Sequence, residues 1–260
     1  MTVPEIVTFG PEALLLRWQD EVSEELQREV WSWEAHLNTM LSAEIEETSI
    51  GYREIALFLR PGVPPERVIQ TIRESKPSDT SRTPESFNSW EIPVCYGAEF
   101  GPDLAEVAEY CGLSPEAVIS RHSAKEYLVH FIGFLPGFPY LGGLDPILHT
   151  PRRSTPRPSI PAGAVGIGGR QTGIYPHSSP GGWQLIGRTP LLLFRSDSDT
   201  PVWLEAGDRL RFCPIDREEF DIIAEEVQTG DYQPKGKRHG PVSYTHLTLP
   251  TNTVTWGGGG

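Results

Sequence analysis

Residues 133–190 read GFLPGFPYLGGLDPILHTPRRSTPRPSIPAGAVGIGGRQTGIYPHSSPGGWQLIGRTP, and this stretch decides how the rest of the chain is read. It holds 12 of the 26 glycines and 10 of the 25 prolines, interleaved with short apolar runs. Such punctuation suits short strands joined by tight Pro/Gly corners, as in a β-barrel. Its charges are Asp145 against Arg152, Arg153, Arg157, Arg170 and Arg188, a net of +4 in a chain whose net charge is −13. Arginine without lysine points to two-point recognition of carboxylate or phosphate. Glycines such as Gly168 and Gly169 would let backbone N–H groups approach a ligand. The same composition also suits a tightly turned barrel with arginines on its surface.

Upstream, the pattern changes to mixed α/β. Residues 6–9 and 14–18 read as strands around the Gly10-Pro11 turn. Val22, Leu26, Val30, Trp33, Leu37 and Leu41 then recur at helical spacing and predict a long helix with one apolar face. Residues 50–59 read as a strand, and Pro64-Pro65-Glu66 opens a second helix. Residues 1–76 are therefore expected to form a small α/β, ferredoxin-like domain. Residues 77–89, polar and rich in Pro, Ser and Thr, are expected to be a linker. Residues 90–230 would form the second domain, with strands at 90–96 and 127–132. Between these strands, helices start at Asp103 and at Ser114-Pro115, the first stopped by Gly112. The last segment, 231–260, is uncharged from Pro241 onward and ends in a glycine run. It is expected to be a non-native or disordered tail.

Several function classes are disfavoured. The acidic balance argues against a nucleic-acid-binding face. Residues 103–122 have helix-turn-helix spacing but carry Asp103, Glu106, Glu109 and Glu116 against Arg121 alone, so a phosphate-facing helix is not expected. No apolar run reaches the roughly 18 residues of a membrane span, and the start lacks a secretory pattern. A soluble, cytoplasmic chain is expected. Cys95, Cys111 and Cys213 form no C-x-x-C pair, and neither a disulfide framework nor a metal site is expected. Walker, dinucleotide, H-E-x-x-H and G-x-S-x-G motifs are absent, so no nucleotide site is assigned to this chain.

Four ordered stretches carry a resemblance. They are HFIGFLPGFPYLGGL (130–144), TPRR with TPR (150–157), IPAGAVGIGGRQTGIYP (160–176) and SPGGWQLIGRTP (179–190), flanked by IPVCYGAEFGPDL (92–104) and EAGDRLRF (205–212). Together they resemble the family of 5-oxoprolinase B subunits, also described as allophanate hydrolase subunit 1 or Kip-type kinase inhibitors. The resemblance covers roughly residues 4–228. It implies an α/β N-terminal domain plus a cyclophilin-like β-barrel C-terminal domain. It also implies work in a hetero-oligomer with C-type and A-type 5-oxoprolinase subunits, which cleaves 5-oxo-L-proline, a small amide, to L-glutamate using ATP.

On that resemblance, Arg157, Gln171, Tyr175 and Arg188 are expected at the reacting centre. Arg152, Arg153, Gly168, Gly169, Thr172 and His130 are expected to bind substrate or anion. Phe134, Phe138 and Tyr140 would wall the pocket or a subunit interface. Two other activities within the family stay open. One is the carboxyltransferase half of a urea-carboxylase or allophanate-type, biotin-dependent system. The other is inhibition of a sporulation-type histidine kinase.

Overall fold

Ser23 ends an extended stretch and accepts a hydrogen bond from the Leu26 N–H, and that cap starts the long N-terminal helix one residue later. The computed structural model describes residues 4–77 and 87–240. In chain order the first lobe runs β1 (Glu5–Thr8), β2 (Ala13–Arg17), α1 (Glu24–Met40), β3 (Ile45–Ile50), β4 (Glu54–Leu59) and α2 (Pro65–Glu74). The single strand expected over 50–59 is in fact β4 with the end of β3, turned at residues 51–53. The sheet order is β1-β2-β4-β3, antiparallel throughout. This is the ferredoxin-like arrangement with its last strand moved to the front of the chain. Leu14, Leu16, Ile55, Leu57 and Leu59 of the strands meet Leu26, Val30, Trp33 and Leu37 of α1 and Val68 and Ile72 of α2 in one core. Val22, expected on the buried face, precedes the cap and is 51% exposed.

The second lobe runs β5 (Phe87–Tyr96), α3 (Leu104–Cys111), α4 (Pro115–Ser123), β6 (Tyr127–Ile132), β7 (Pro139–Gly142), a 3₁₀ turn at Pro146–Leu148 and β8 (Arg157–Ile160). It continues through β9 (Ala164–Gly168), β10 (Gln171–Ile174), β11 (Ser179–Gly181), β12 (Gln184–Arg188), β13 (Arg209–Ile215), α5 (Arg217–Thr229) and β14 (Gly236–His239). The order β12-β9-β10-β7-β6-β13-β5 closes on itself through Gly187↔Tyr96 and Arg188↔Cys95. The result is a closed seven-stranded barrel filled by Ile92, Val94, Val129, Leu141, Ile167 and Phe212. Closure leaves no open edge around the ring. A separate two-stranded antiparallel sheet of β8 and β11, which are parted in sequence by β9 and β10, lies outside it beside a small cluster of Phe138, Ile160, Tyr175 and Trp183.

Of the expected linker 77–89, residues 78–86 lie outside the described residues, as do 241–260 of the expected tail. Residues 236–239, also assigned to that tail, instead form β14, which pairs with the start of β5 from Gly236↔Trp90 to His239↔Phe87. One glycine followed by three basic residues in GKRH gave no apolar signal for a strand. The pairing is made by backbone groups and by a glycine that lets Trp90 lie against it.

Candidate functional site

Strand parity sorts the barrel residues before any chemistry is considered. Thr172, Leu141 and Val129 are register partners on β10, β7 and β6, and all three point inward. Their neighbours Gln171, Gly142 and His130 therefore face outward, joined by Arg209, the register partner of Leu128 on β13. This outer surface is the floor of a cleft of about 970 Å³. Its opposite wall comes from the first lobe, with Val22, Ser23 and Glu24 before and at the start of α1 and Tyr52, Arg53 and Glu54 in the β3–β4 turn.

His130 sits where the lobes meet. Its Nδ1 is 2.9 Å from Gln27 Oε1, and its carbonyl accepts from Trp31 Nε1 at 3.1 Å. With the Gln27 amide oxygen turned to the ring, as placed, Nδ1 carries the proton and Nε2 keeps its lone pair. Nε2 lies over Gly142, so close that a Cβ at residue 142 would be 1.8 Å away. Tyr52 packs against the imidazole at 5.1 Å and edge-on to Tyr140 at 5.8 Å. Burial pulls the His130 pKa down to about 4, outweighing the opposite pull of Glu24. The imidazole is neutral near pH 7.

Charges in the cleft nearly cancel. Arg209 meets Glu24 at 2.7 Å, and Arg28 meets the same carboxylate. Glu54 is held by Arg17 at 2.8 Å. Among the described residues this leaves Arg53 and Arg170 without an ionic partner, against Glu21 and Glu126. Among the described residues no group of three or more His, Cys, Asp or Glu side chains is placed to hold a metal ion.

The structure separates the residues singled out from sequence. Gln171 and His130 reach the cleft. Arg157 instead forms a two-point pair with Asp103 at 2.6 and 2.9 Å, and Arg153 adds a third bond at 3.0 Å. Asp103 is only 2% exposed and also accepts the Leu185 N–H. It stands at the N-cap of α3, yet its side chain makes no cap bond, because the carboxylate is turned to these arginines. Arg188 donates to the Ala162 carbonyl at 2.8 Å, and Arg152 lies over the Trp183 ring.

Thr172 is inside the barrel. Its hydroxyl donates to the Gly166 carbonyl, so it accepts from His122 Nε2, whose Nδ1 in turn accepts from the Tyr96 hydroxyl. That chain leaves no donor free for an anion. Tyr175 is buried in the small cluster with Phe138 and Trp183, and burial pushes its pKa up to about 12. Gly168 backs onto Trp183, where a Cβ would come within 2.5 Å, and Gly169 takes the left-handed turn of the β9–β10 hairpin at φ +67°. Phe134 is 69% exposed, whereas Phe138 is buried.

Sequence reading missed Tyr52 and Arg209 as cleft residues and the buried Gln27 that holds His130 behind them. Gln27 and Tyr52 come from segments read only for their secondary structure. The one available signal was positional: Arg209 lies within EAGDRLRF, one of the stretches that carry the resemblance.

Among the described residues no helix is long and apolar enough to cross a membrane. A family model described as carboxyltransferase domain, subdomain C and D, matches residues 4–204. The chain is 41% identical over 233 residues to the 5-oxoprolinase B subunit of Bacillus subtilis (strain 168), covering 85% of this chain and 97% of that protein. It is 45% identical over 210 residues to the 5-oxoprolinase B subunit of Escherichia coli O157:H7, covering 79% and 94%. The crystal structure of the K. lactis urea amidolyase shares the fold, with a TM-score of 0.75 at 19% identity over 91% of this chain and 16% of that one. With a match that runs from β1 through the barrel to Leu204, this chain belongs to the carboxyltransferase-domain subdomain C and D family, among whose members it is similar to the 5-oxoprolinase B subunits.

Proposed function

We propose that this chain is the B subunit of an ATP-dependent 5-oxoprolinase, working with A-type and C-type partner subunits on 5-oxo-L-proline. The observation that carries this reading is the similarity to two bacterial B subunits along nearly their whole length, 97% and 94%. In the reaction the lactam C–N bond breaks, water supplies the new carboxylate oxygen, and the ring nitrogen becomes the amino group of L-glutamate. The cleft between the lobes suits a small, singly charged amide. A neutral imidazole and the Gln171 amide provide hydrogen bonds, and walls from both lobes restrict orientation.

A polyphosphate does not fit this cleft, because its unpaired charges are two guanidiniums balanced by two carboxylates. The nucleotide therefore sits on a partner protein in this reading. Arg157 and Arg153 serve to hold α3 against the barrel through Asp103. The reading also includes two domains, residues 1–76 and 90–230 joined by 77–89, and a place in the cytoplasm. The separate hydrophobic cores of the two lobes support the division.

The test is ATP-dependent glutamate release from 5-oxo-L-proline by the full chain mixed with A-type and C-type subunits, each omitted in turn. Activity that disappears without this chain is expected. An assembled complex that releases no glutamate would sink the reading and turn attention to carboxyl transfer, which the family model's description favours as the second choice.

A further inference from the structure

Five arginines give the segment 133–190 its positive charge, and the structure shows what four of them do. Arg153 and Arg157 are tied to Asp103, Arg188 to a carbonyl, and Arg152 to the face of Trp183. Arg170 is the remaining one. It is exposed at the β9–β10 turn, it lines the cleft, and among the described residues it has no ion pair, hydrogen bond or ring contact. The left-handed Gly169 and the outward Gln171 on either side of it place it on the same wall as the cleft floor.

A guanidinium without a partner at the rim of a cleft is able to take a carboxylate in two-point fashion without first breaking an internal pair. Arg209 lacks that freedom, because it is already bound to Glu24. Arg53 belongs to the first lobe's β3–β4 turn, between Tyr52 and Glu54, and not to the barrel wall that carries Gln171 and His130. Two strands from Gln171, His130 lines the cleft with only 3% of its surface exposed, and its Nε2, over Gly142, is an acceptor for an amide N–H when Nδ1 holds the proton toward Gln27 Oε1.

We propose that the interlobe cleft is a two-point site for a small carboxylate that also bears an amide, in which Arg170 grips the carboxylate and His130, held by Gln27, accepts the amide N–H. This inference rests on the 5-oxoprolinase reading for the identity of the ligand, and within segment 133–190 the pairing of the other four arginines leaves Arg170 as the one to test.

The experiment has two arms, so that failure of the function and failure of the site are told apart. In the assembled complex, Arg170→Ala raises KM for 5-oxo-L-proline about tenfold or more while kcat changes by less than about threefold. The carboxamide analogue, which lacks the carboxylate, is handled alike by wild type and variant. An unchanged KM, or an equal loss with the carboxamide, overturns the inference while leaving the function standing.

If the complex does not turn over, the function fails and the site is read from the isolated full chain by NMR titration with 5-oxo-L-proline. Saturable shifts at His130 and Gln171 that vanish in Arg170→Ala support the site. Absence of saturable shifts in the wild-type chain overturns it.

Discussion

Asp103 is a nearly fully buried carboxylate whose charge is balanced by two arginines 50 and 54 residues further along the chain. Removing one partner of a buried pair leaves an uncompensated charge, which is far costlier than the pair itself is stabilising. Arg157→Ala leaves Asp103 with Arg153 and the Leu185 N–H and should lower stability by about 1–3 kcal/mol in urea titration, with activity per folded complex retained. Loss of turnover at full stability would instead place Arg157 at the reacting centre.

His122 and His130 give a second prediction at this scale. Burial lowers their pKa values to about 3 and about 4, from 6.5 for an unfolded chain. The unfolded state binds the proton first, so their stabilising share is complete above 6.5 and is lost as pH falls toward the folded values. Near pH 5 each should cost about 2 kcal/mol, measured as the drop in unfolding free energy from neutral pH. A flat profile across that range would mean that the two rings are open to solvent.

Among the elements, the β7–β6 contact leaves no room for a side chain at residue 142. Gly142 has no side chain because His130 occupies that space. Gly142→Ala should displace the imidazole from Gln27 and reduce turnover of the complex at least about tenfold, with a stability cost of about 1–3 kcal/mol from overpacking. Unaltered kinetics in a folded variant would remove His130 from the site.

β14 gives a second test. A chain ending at residue 230 loses the strand paired with Phe87–Trp90 and the Lys235 carbonyl that accepts the Glu91 N–H, and should melt several degrees lower than one ending at 240. Equal melting would make the strand dispensable.

Element starts and stops were legible because their chemistry is local. Gly112 takes the left-handed conformation that ends α3, Ser114 accepts the Ala117 N–H ahead of Pro115, and Pro65 opens α2. β14 and the β3–β4 turn were not, since pairing partners lie far away and neither carries a hydrophobic pattern. Within the site, an arginine held by an internal carboxylate and an arginine awaiting a ligand look the same in sequence. Composition therefore singled out five arginines without separating the paired Arg157 from Arg170, unpaired among the described residues. Parity would have excluded Thr172 beside Gln171, had the register of β10 been known.

At the scale of the whole molecule, the lobes have separate cores but share the cleft. Gln27 and Trp31 of α1 reach His130 of β6, and Glu24 reaches Arg209 of β13. Residues 1–77 alone should fold, since the first core draws on no barrel residue among those described, and a dispersed NMR spectrum is the expected outcome. A collapsed, featureless spectrum would mean that the lobes are one cooperative unit.

The way the barrel closes also bears on how the chain is made. β5 is the first barrel strand to be synthesised, and its partners β12, β13 and β14 are among the last, with links such as Asn88 to Asp208 spanning 120 residues. The first lobe completes its sheet from near neighbours while the ribosome is still translating the barrel. During that interval β5 has apolar faces and unmatched backbone groups but no partner, and it is then the part of the nascent chain most in need of shielding by chaperones.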